Sequence, residues 1–296
     1  MTPLEYARKY WELDVMLEDR HVRVRVDRYL SQCHSSPLLQ KAYRLVDKPG
    51  ESLTLRIKTV FGKYDERTYD CTNHKVLNGV LKDPFNGKGS PEEVQAVLQV
   101  AVLTGFLKPE DLQQFCSLGK VGLDCCGFVS NYVWHVMQRR PWDIDTGKKD
   151  LIASNYIPSM IQAGAAIKTE ADFVLNKTRC IAMATADEYG KVIPNGPGAH
   201  VMITEPNTLM RMSSNNFIAS PKGKGTFEFQ GQTHSGRSIK VGEGNTFVVV
   251  ESTGGGKGLV SSRYRILSVD EKTGLFHVQR GCSTGTLKVR MAAIAA

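Results

Sequence analysis

A chain of 296 residues with 41% hydrophobic and 23% charged side chains holds enough apolar material for one large core or two modest ones, which excludes a chain disordered throughout. No run approaches the ~18 to 20 uninterrupted apolar residues of a membrane-crossing helix, and the opening Met1 to Lys9 lacks the apolar centre of a signal peptide. The net charge of +8 gathers in the last third, where thirteen Lys and Arg face six Asp and Glu from Lys191 onward.

In chain order, a short helical opening leads to His21-Val22-Arg23-Val24-Arg25-Val26, whose valines line one strand face. Lys48-Pro49-Gly50-Glu51 reads as a turn, and Leu53 to Val60 alternates as a second strand. Asn86-Gly87-Lys88-Gly89-Ser90 then closes a mixed N-terminal region, residues 1–89, either a separate small domain or an elaboration on the rest. A helix follows, with Ser90 as N-cap, Pro91 at its first position, Glu92 and Glu93 in its first turn, and Val94, Val97, Leu98, Ala101 and Val102 on one face. Pro109-Glu110-Asp111 opens another short helix. Ser117 to Leu123 reads as a loop, and Asp124 as the cap of an amphipathic helix that begins at Cys125 and stops at Arg139-Arg140-Pro141. Beyond residue 176 the pattern turns to strands: Arg179 to Ala184, His200 to Thr204, Lys224 to Phe229, Thr246 to Glu251, Arg263 to Leu267 and Leu275 to Val278. The short connections between the later strands predict antiparallel pairing.

A cysteine at the first position of a helix is set apart chemically, because exposed backbone amides and the helix dipole favour its thiolate. An imidazole within reach would complete the activation, and His200, delivered by the turn Pro194-Asn195-Gly196-Pro197-Gly198, is the candidate. Glu251, ending the most apolar strand of the chain, is the candidate to orient that ring, with His234, His277 or Asn195 as replacements. These marks, in chain order, make Cys125 the candidate nucleophile, His200 the candidate base and Glu251 the candidate third member. Duller roles stay open at each position: a buried helix cysteine, a histidine satisfying a backbone group, a solvated strand end. Cys126 reads as structural.

The run Leu123-Asp124-Cys125-Cys126-Gly127-Phe128-Val129 resembles the nucleophile signature of the NlpC/P60 family of papain-like cysteine peptidases. Gly198-Ala199-His200-Val201 resembles the family's histidine-bearing strand start, and Val249-Val250-Glu251-Ser252 its following strand. The resemblance spans roughly residues 90 to 260. It implies an α+β, papain-like NlpC/P60-type fold over residues 90–296, with the nucleophile helix packed on a mostly antiparallel sheet and an insertion near 205–245. It also implies a cysteine hydrolase that cuts amide bonds in peptidoglycan peptides, and an extracellular or periplasmic setting. Three departures stand against it: Cys126 replaces a serine, no tyrosine or tryptophan lies between residues 112 and 122, and 51 residues separate His200 from Glu251.

Peptidoglycan or another peptide-containing polymer is the expected partner, and the basic last third favours an anionic one. Nucleic acid is disfavoured, since no arginine-rich run, zinc finger or paired aromatic platform accompanies the charge. Two other functions remain open: a non-catalytic binding module for an anionic polymer or protein, and an acyltransferase on the same fold. No cofactor or metal is expected. The seven cysteines lack metal-knuckle spacing, there is no His-Glu-x-x-His, and Gly254-Gly255-Gly256-Lys257-Gly258 lacks the Ser or Thr of a phosphate loop.

Overall fold

The computed structural model describes residues 1–18, 20–30, 37, 52–70, 82–137, 156–163, 166–194, 196–212, 217–220, 226–229, 232–235, 237–240, 243–254, 257–280 and 286–294. The turn expected at Lys48 to Glu51 and the helix stop expected at Arg139-Arg140-Pro141 lie outside these residues.

Helix α1 (Pro3–Trp11) starts with a reciprocal cap, in which the Thr2 hydroxyl accepts the Glu5 amide and the Glu5 carboxylate accepts the Thr2 amide. Its buried face carries Tyr6 and Tyr10, and Tyr6 packs edge-on against both Tyr10 and Tyr132. Two antiparallel hairpins follow, β1 (Leu13–Met16) with β2 (His21–Val24) and β3 (Ser52–Lys58) with β4 (Tyr64–Asp70). Strand β3 alternates buried Leu53, Leu55 and Ile57 with exposed neighbours, as its sequence predicts.

Helix α2 (Pro91–Leu103) has the expected start, with Ser90 and Glu93 capping each other. Its polar side chains have a use that periodicity did not reveal. Gln99 exchanges two hydrogen bonds with the Arg56 backbone (3.0 and 2.6 Å), and Gln95 does the same with Lys58 (2.9 and 2.8 Å). One turn away, Glu92 accepts the Val60 amide at 2.8 Å. The free edge of β3 is thus paired by side chains spaced along a helix, which satisfies backbone groups that would be costly to bury alone.

A 3₁₀ turn at Pro109–Asp111 leads into α3 (Leu112–Ser117), and α4 (Cys125–Tyr132) follows. The helix predicted to run from Cys125 to the stop at Arg139-Arg140-Pro141 is regular only to Tyr132, and Val133–Met137 continues as a π turn. Then come α5 (Tyr156–Ala163), β5 (Ala166–Ile167) and α6 (Glu170–Leu175).

The rest is β structure: β6 (Ile181–Thr185), β7 (Val201–Thr204), β8 (Met210–Met212), β9 (Phe217–Ser220), β10 (Thr226–Phe229), β11 (Gln232–Ser235), β12 (Arg237–Lys240), β13 (Gly244–Thr253), β14 (Gly258–Asp270), β15 (Leu275–Arg280) and β16 (Thr286–Ala293). Within the 205–245 segment, β8 pairs with the start of β13, β9 with β12 and β10 with β11, all antiparallel. The sheet order β14-β15-β16-β6-β7-β13 returns to β14, because β13 and β14 pair over eight positions from Thr246–Arg265 to Thr253–Gly258.

This closure corrects the expected fold. The chain is α+β, but its main sheet is a closed six-stranded antiparallel barrel, whereas the resemblance implied a papain-like groove with a nucleophile helix packed on an open sheet. β16 is the stave that had no sequence assignment. It pairs with β15 on one side and β6 on the other, and no barrel forms without it.

Period-two alternation gives each stave an inner and an outer face. Ile181, Met183, Met202, Phe247, Val249, Tyr264, Ile266, Phe276, Val278, Val289 and Met291 form one buried cluster in the barrel interior, closed by Phe173 of α6. Ala182, Ala184, Val201, Ile203 and Val250 face outward into a second cluster shared with α1, α2, α4 and the N-terminal hairpins. Both faces of β7 are therefore buried. Each large side chain wholly withdrawn from water contributes roughly 1.5–3 kcal/mol.

Candidate functional site

The start of α4 is built for close backbone packing. Asp124 caps it, accepting the Gly127 amide at 2.5 Å through one carboxylate oxygen, while the other oxygen meets Lys88 Nζ at 2.5 Å. Burial pushes the Asp124 carboxyl up to about 6 even though Lys88 pulls it down. A Cβ at Gly127 would lie 2.0 Å from the Gly87 carbonyl oxygen, and Gly87, at φ +72°, could carry none without meeting the Leu30 carbonyl at the same distance. The glycine of the Cys-Cys-Gly run thus serves the approach of two chain segments. Residues 28–30 lie alongside the same loop, with Leu123 donating to the Arg28 carbonyl (3.0 Å) and Leu30 to the Leu123 carbonyl (3.2 Å).

His200 is held by Thr185 of β6. The Thr185 hydroxyl accepts the His200 amide at 2.8 Å and donates to the Gly198 carbonyl at 2.8 Å, while the Thr185 amide donates to the His200 carbonyl at 2.9 Å. Strands β7 and β13 pair as Ile203–Val250 and Thr204–Val249. Continued by one step, that register sets Glu251 opposite Met202, on the inner face and diagonal to His200. The observed contact is His200 Nε2 to Glu251 Oε2 at 2.7 Å. It leaves Nδ1 as the ring nitrogen facing Cys125, which shares a hydrogen bond with the imidazole.

Cys125 is almost fully buried. The neighbouring Cys126 thiol makes the largest contribution to lowering its pKa well below the usual thiol value, and the His200 ring and the Val201 amide add to this against the cost of burial. The same hydrogen bond, together with burial, drives Cys126 far upward, so of the two adjacent thiols Cys126 keeps its proton. Burial works against a charged His200, but its hydrogen bonds and the charges of Cys125 and Glu251 carry it up to about 9. Both shifts run in the direction of a thiolate–imidazolium pair.

Glu251 is wholly buried and saturated. Oε2 accepts from His200 and from Arg280, while Oε1 accepts from the Tyr264 hydroxyl at 2.9 Å and the Ser262 hydroxyl at 3.4 Å. Burial raises this carboxyl, yet the His200 hydrogen bond, the Arg280 charge and the Tyr264 hydroxyl hold it below the usual carboxylate value. Arg280 also donates through Nε to Tyr264 Oη at 2.7 Å.

The structure thus brings Cys125, His200 and Glu251 together. His277 does not join them, since it lies on the outward phase of β15 with His277 paired to Ser268 and Lys288. Asn195 and the side chain of His234 fall outside the described residues. Sequence reasoning missed Arg280, Tyr264 and Ser262. A signal for Arg280 existed: it is in phase with Phe276 and Val278, a charge on the buried face of a strand. Among the described residues, no three His, Cys, Asp or Glu side chains group to hold a metal ion. Cavities of about 560 and 740 Å³ lie beside the N-terminal hairpins and α2, and neither is lined by the three residues. Among the described residues no helix is long and apolar enough to cross a membrane.

Comparison with family models, curated proteins and solved structures gives no match for this chain. The NlpC/P60 resemblance is left resting on its three short runs, and the closed barrel conflicts with the fold it implied. The reading as a papain-like cysteine peptidase or amidase acting on peptidoglycan is corrected accordingly. The two alternatives, a binding module for an anionic polymer or protein and an acyltransferase, lose the papain-like fold on which they were framed.

Proposed function

We propose that Cys125, His200 and Glu251 work together as a nucleophilic-thiol site that forms a covalent adduct with an electrophilic carbon. The observation that carries this reading is the 2.7 Å contact of His200 Nε2 with the buried Glu251 carboxylate, on a ring that also acts on the helix-start Cys125. Attack by the Cys125 thiolate forms a C–S bond. The bond to the leaving group breaks, and that group departs with the electron pair and takes up the proton held by the His200 imidazolium. Glu251 acts through His200, fixing the ring so that one nitrogen faces the sulfur.

Alkylation with iodoacetamide, followed by peptide mass spectrometry, tests the reading. An ordinary thiol with a pKa of ~8.5 loses about 70-fold in thiolate between pH 8 and pH 6. Cys125 should keep most of its rate over that interval and should react far faster than Cys126. His200→Gln should make the pH dependence steeper than in the parent, with the Cys126 contribution remaining. A steep profile in the parent protein, or preferential labelling of Cys126, overturns the assignment.

A further inference from the structure

One carboxylate in the barrel serves two cations. Oε2 of Glu251 accepts both from His200 Nε2 and from the Arg280 guanidinium, and Oε1 is taken by Tyr264 and Ser262. Arg280 stands on the inner face of β15, directly paired with Tyr264 of β14, and its side chain is only 14% exposed. Its Nε–H donates to the Tyr264 hydroxyl, which in turn donates to Glu251 Oε1, so the guanidinium shares one carboxylate oxygen with His200 while the phenol it supports holds the other.

Resting on the reading of Cys125 and His200 as a nucleophilic pair, we infer that Arg280 is a positioning residue that sets how firmly His200 holds its proton, by sharing the charge of Glu251. A buried carboxylate facing a lone imidazolium would bind the proton so tightly that the ring became a poor acid for a leaving group. A second cation on the same oxygen divides that charge and loosens the proton. The guanidinium suits this task because it stays charged throughout the working pH range and presents a planar fork to both carboxylate and phenol. Among the described residues, the charged and titratable groups around the imidazole are Cys125 on α4, Glu251 on β13, Tyr264 on β14 and Arg280 on β15, with Lys88, Asp124, Cys126 and Tyr29 around Cys125.

The test is an NMR titration of the His200 ring in full-length protein, read in the parent and in a Cys125→Ala background. Arg280→Met should move the His200 midpoint upward by about one pH unit or more, the scale of a charge removed from within ~4–6 Å. Arg280→Lys should return most of that change, and Tyr264→Phe should give a smaller movement of the same sign. Circular dichroism establishes that each variant is folded. An unchanged or lowered midpoint in folded Arg280→Met overturns the inference, as does an Arg280→Lys midpoint equal to that of Arg280→Met. If Arg280→Met does not fold, an unmoved midpoint in Tyr264→Phe overturns it instead. The Cys125→Ala arm contains no thiolate, so slow alkylation in the parent would sink the nucleophile reading while leaving this measurement intact.

Discussion

Along the barrel interior, β13 runs from Phe247 to Glu251 and β15 from Phe276 to Arg280, so each passes from an aromatic to a charged residue within four positions. At the aromatic end, Phe173 of α6 sits 4.8 Å from the Phe247 ring and 6.4 Å from that of Phe276. At the charged end, the groups around Glu251 hold each other by hydrogen bonds. Tyr264 spans the two, its ring 6.1 Å from Phe247 and its hydroxyl on Glu251. The aromatic end gains stability from every atom it hides. The charged end recovers its desolvation cost only if each charge keeps its partner, so its justification lies in holding His200.

Substitutions at the two ends should therefore separate stability from reactivity. Glu251→Leu should have the largest effect, because it removes the buried carboxylate that His200 and Arg280 share: unfolding free energy measured in urea falls by about 3–5 kcal/mol, and Cys125 alkylation at pH 6 slows with it. A folded variant of parental stability would show that the charges at this end are independent of one another. Phe247→Ala should cost a similar or slightly smaller amount, about 3–4 kcal/mol, by opening a cavity at the aromatic end, with alkylation rate and pH profile unchanged. A changed profile would mean that the two ends communicate through Tyr264. Thr185→Val, which removes the hydroxyl joining β6 to the His200 turn, should cost about 1–3 kcal/mol and slow alkylation modestly. No change in either reading would assign the placement of His200 to the strand register alone.

Much of the site was legible because its members carry local marks. Asp124 before Cys125 is a cap before a helix, and the observed cap forms as its chemistry requires. His200 follows a turn rich in Gly and Pro. Glu251 lies in phase with Phe247 and Val249 on an apolar strand. Arg280 bears the same mark, a charge in phase with Phe276 and Val278, but its meaning depends on what stands opposite. Gln95 and Gln99 bore no mark at all, because a glutamine that pairs a strand edge looks the same in sequence as one facing water.

The barrel was hidden for a different reason. Thr286–Ala293 ends in alanines and carries Lys288 and Arg290, so its alternation is weak, and a strand assignment that stops at Val278 leaves the sheet open. Closure rests on pairings between β16 and β6 and between β13 and β7, which join segments far apart in the chain.

The sequence by itself determined the local elements and the helix caps and offered Cys125, His200 and Glu251 as candidates, because capping, turn chemistry and strand alternation act over a few neighbouring positions. Tertiary structure alone decided that the sheet closes, that Glu251 turns inward to meet Arg280, and that Cys125 is poised against His200. Those outcomes follow from strand register and from the cost of burying an unpaired charge, and both are settled only when distant segments meet.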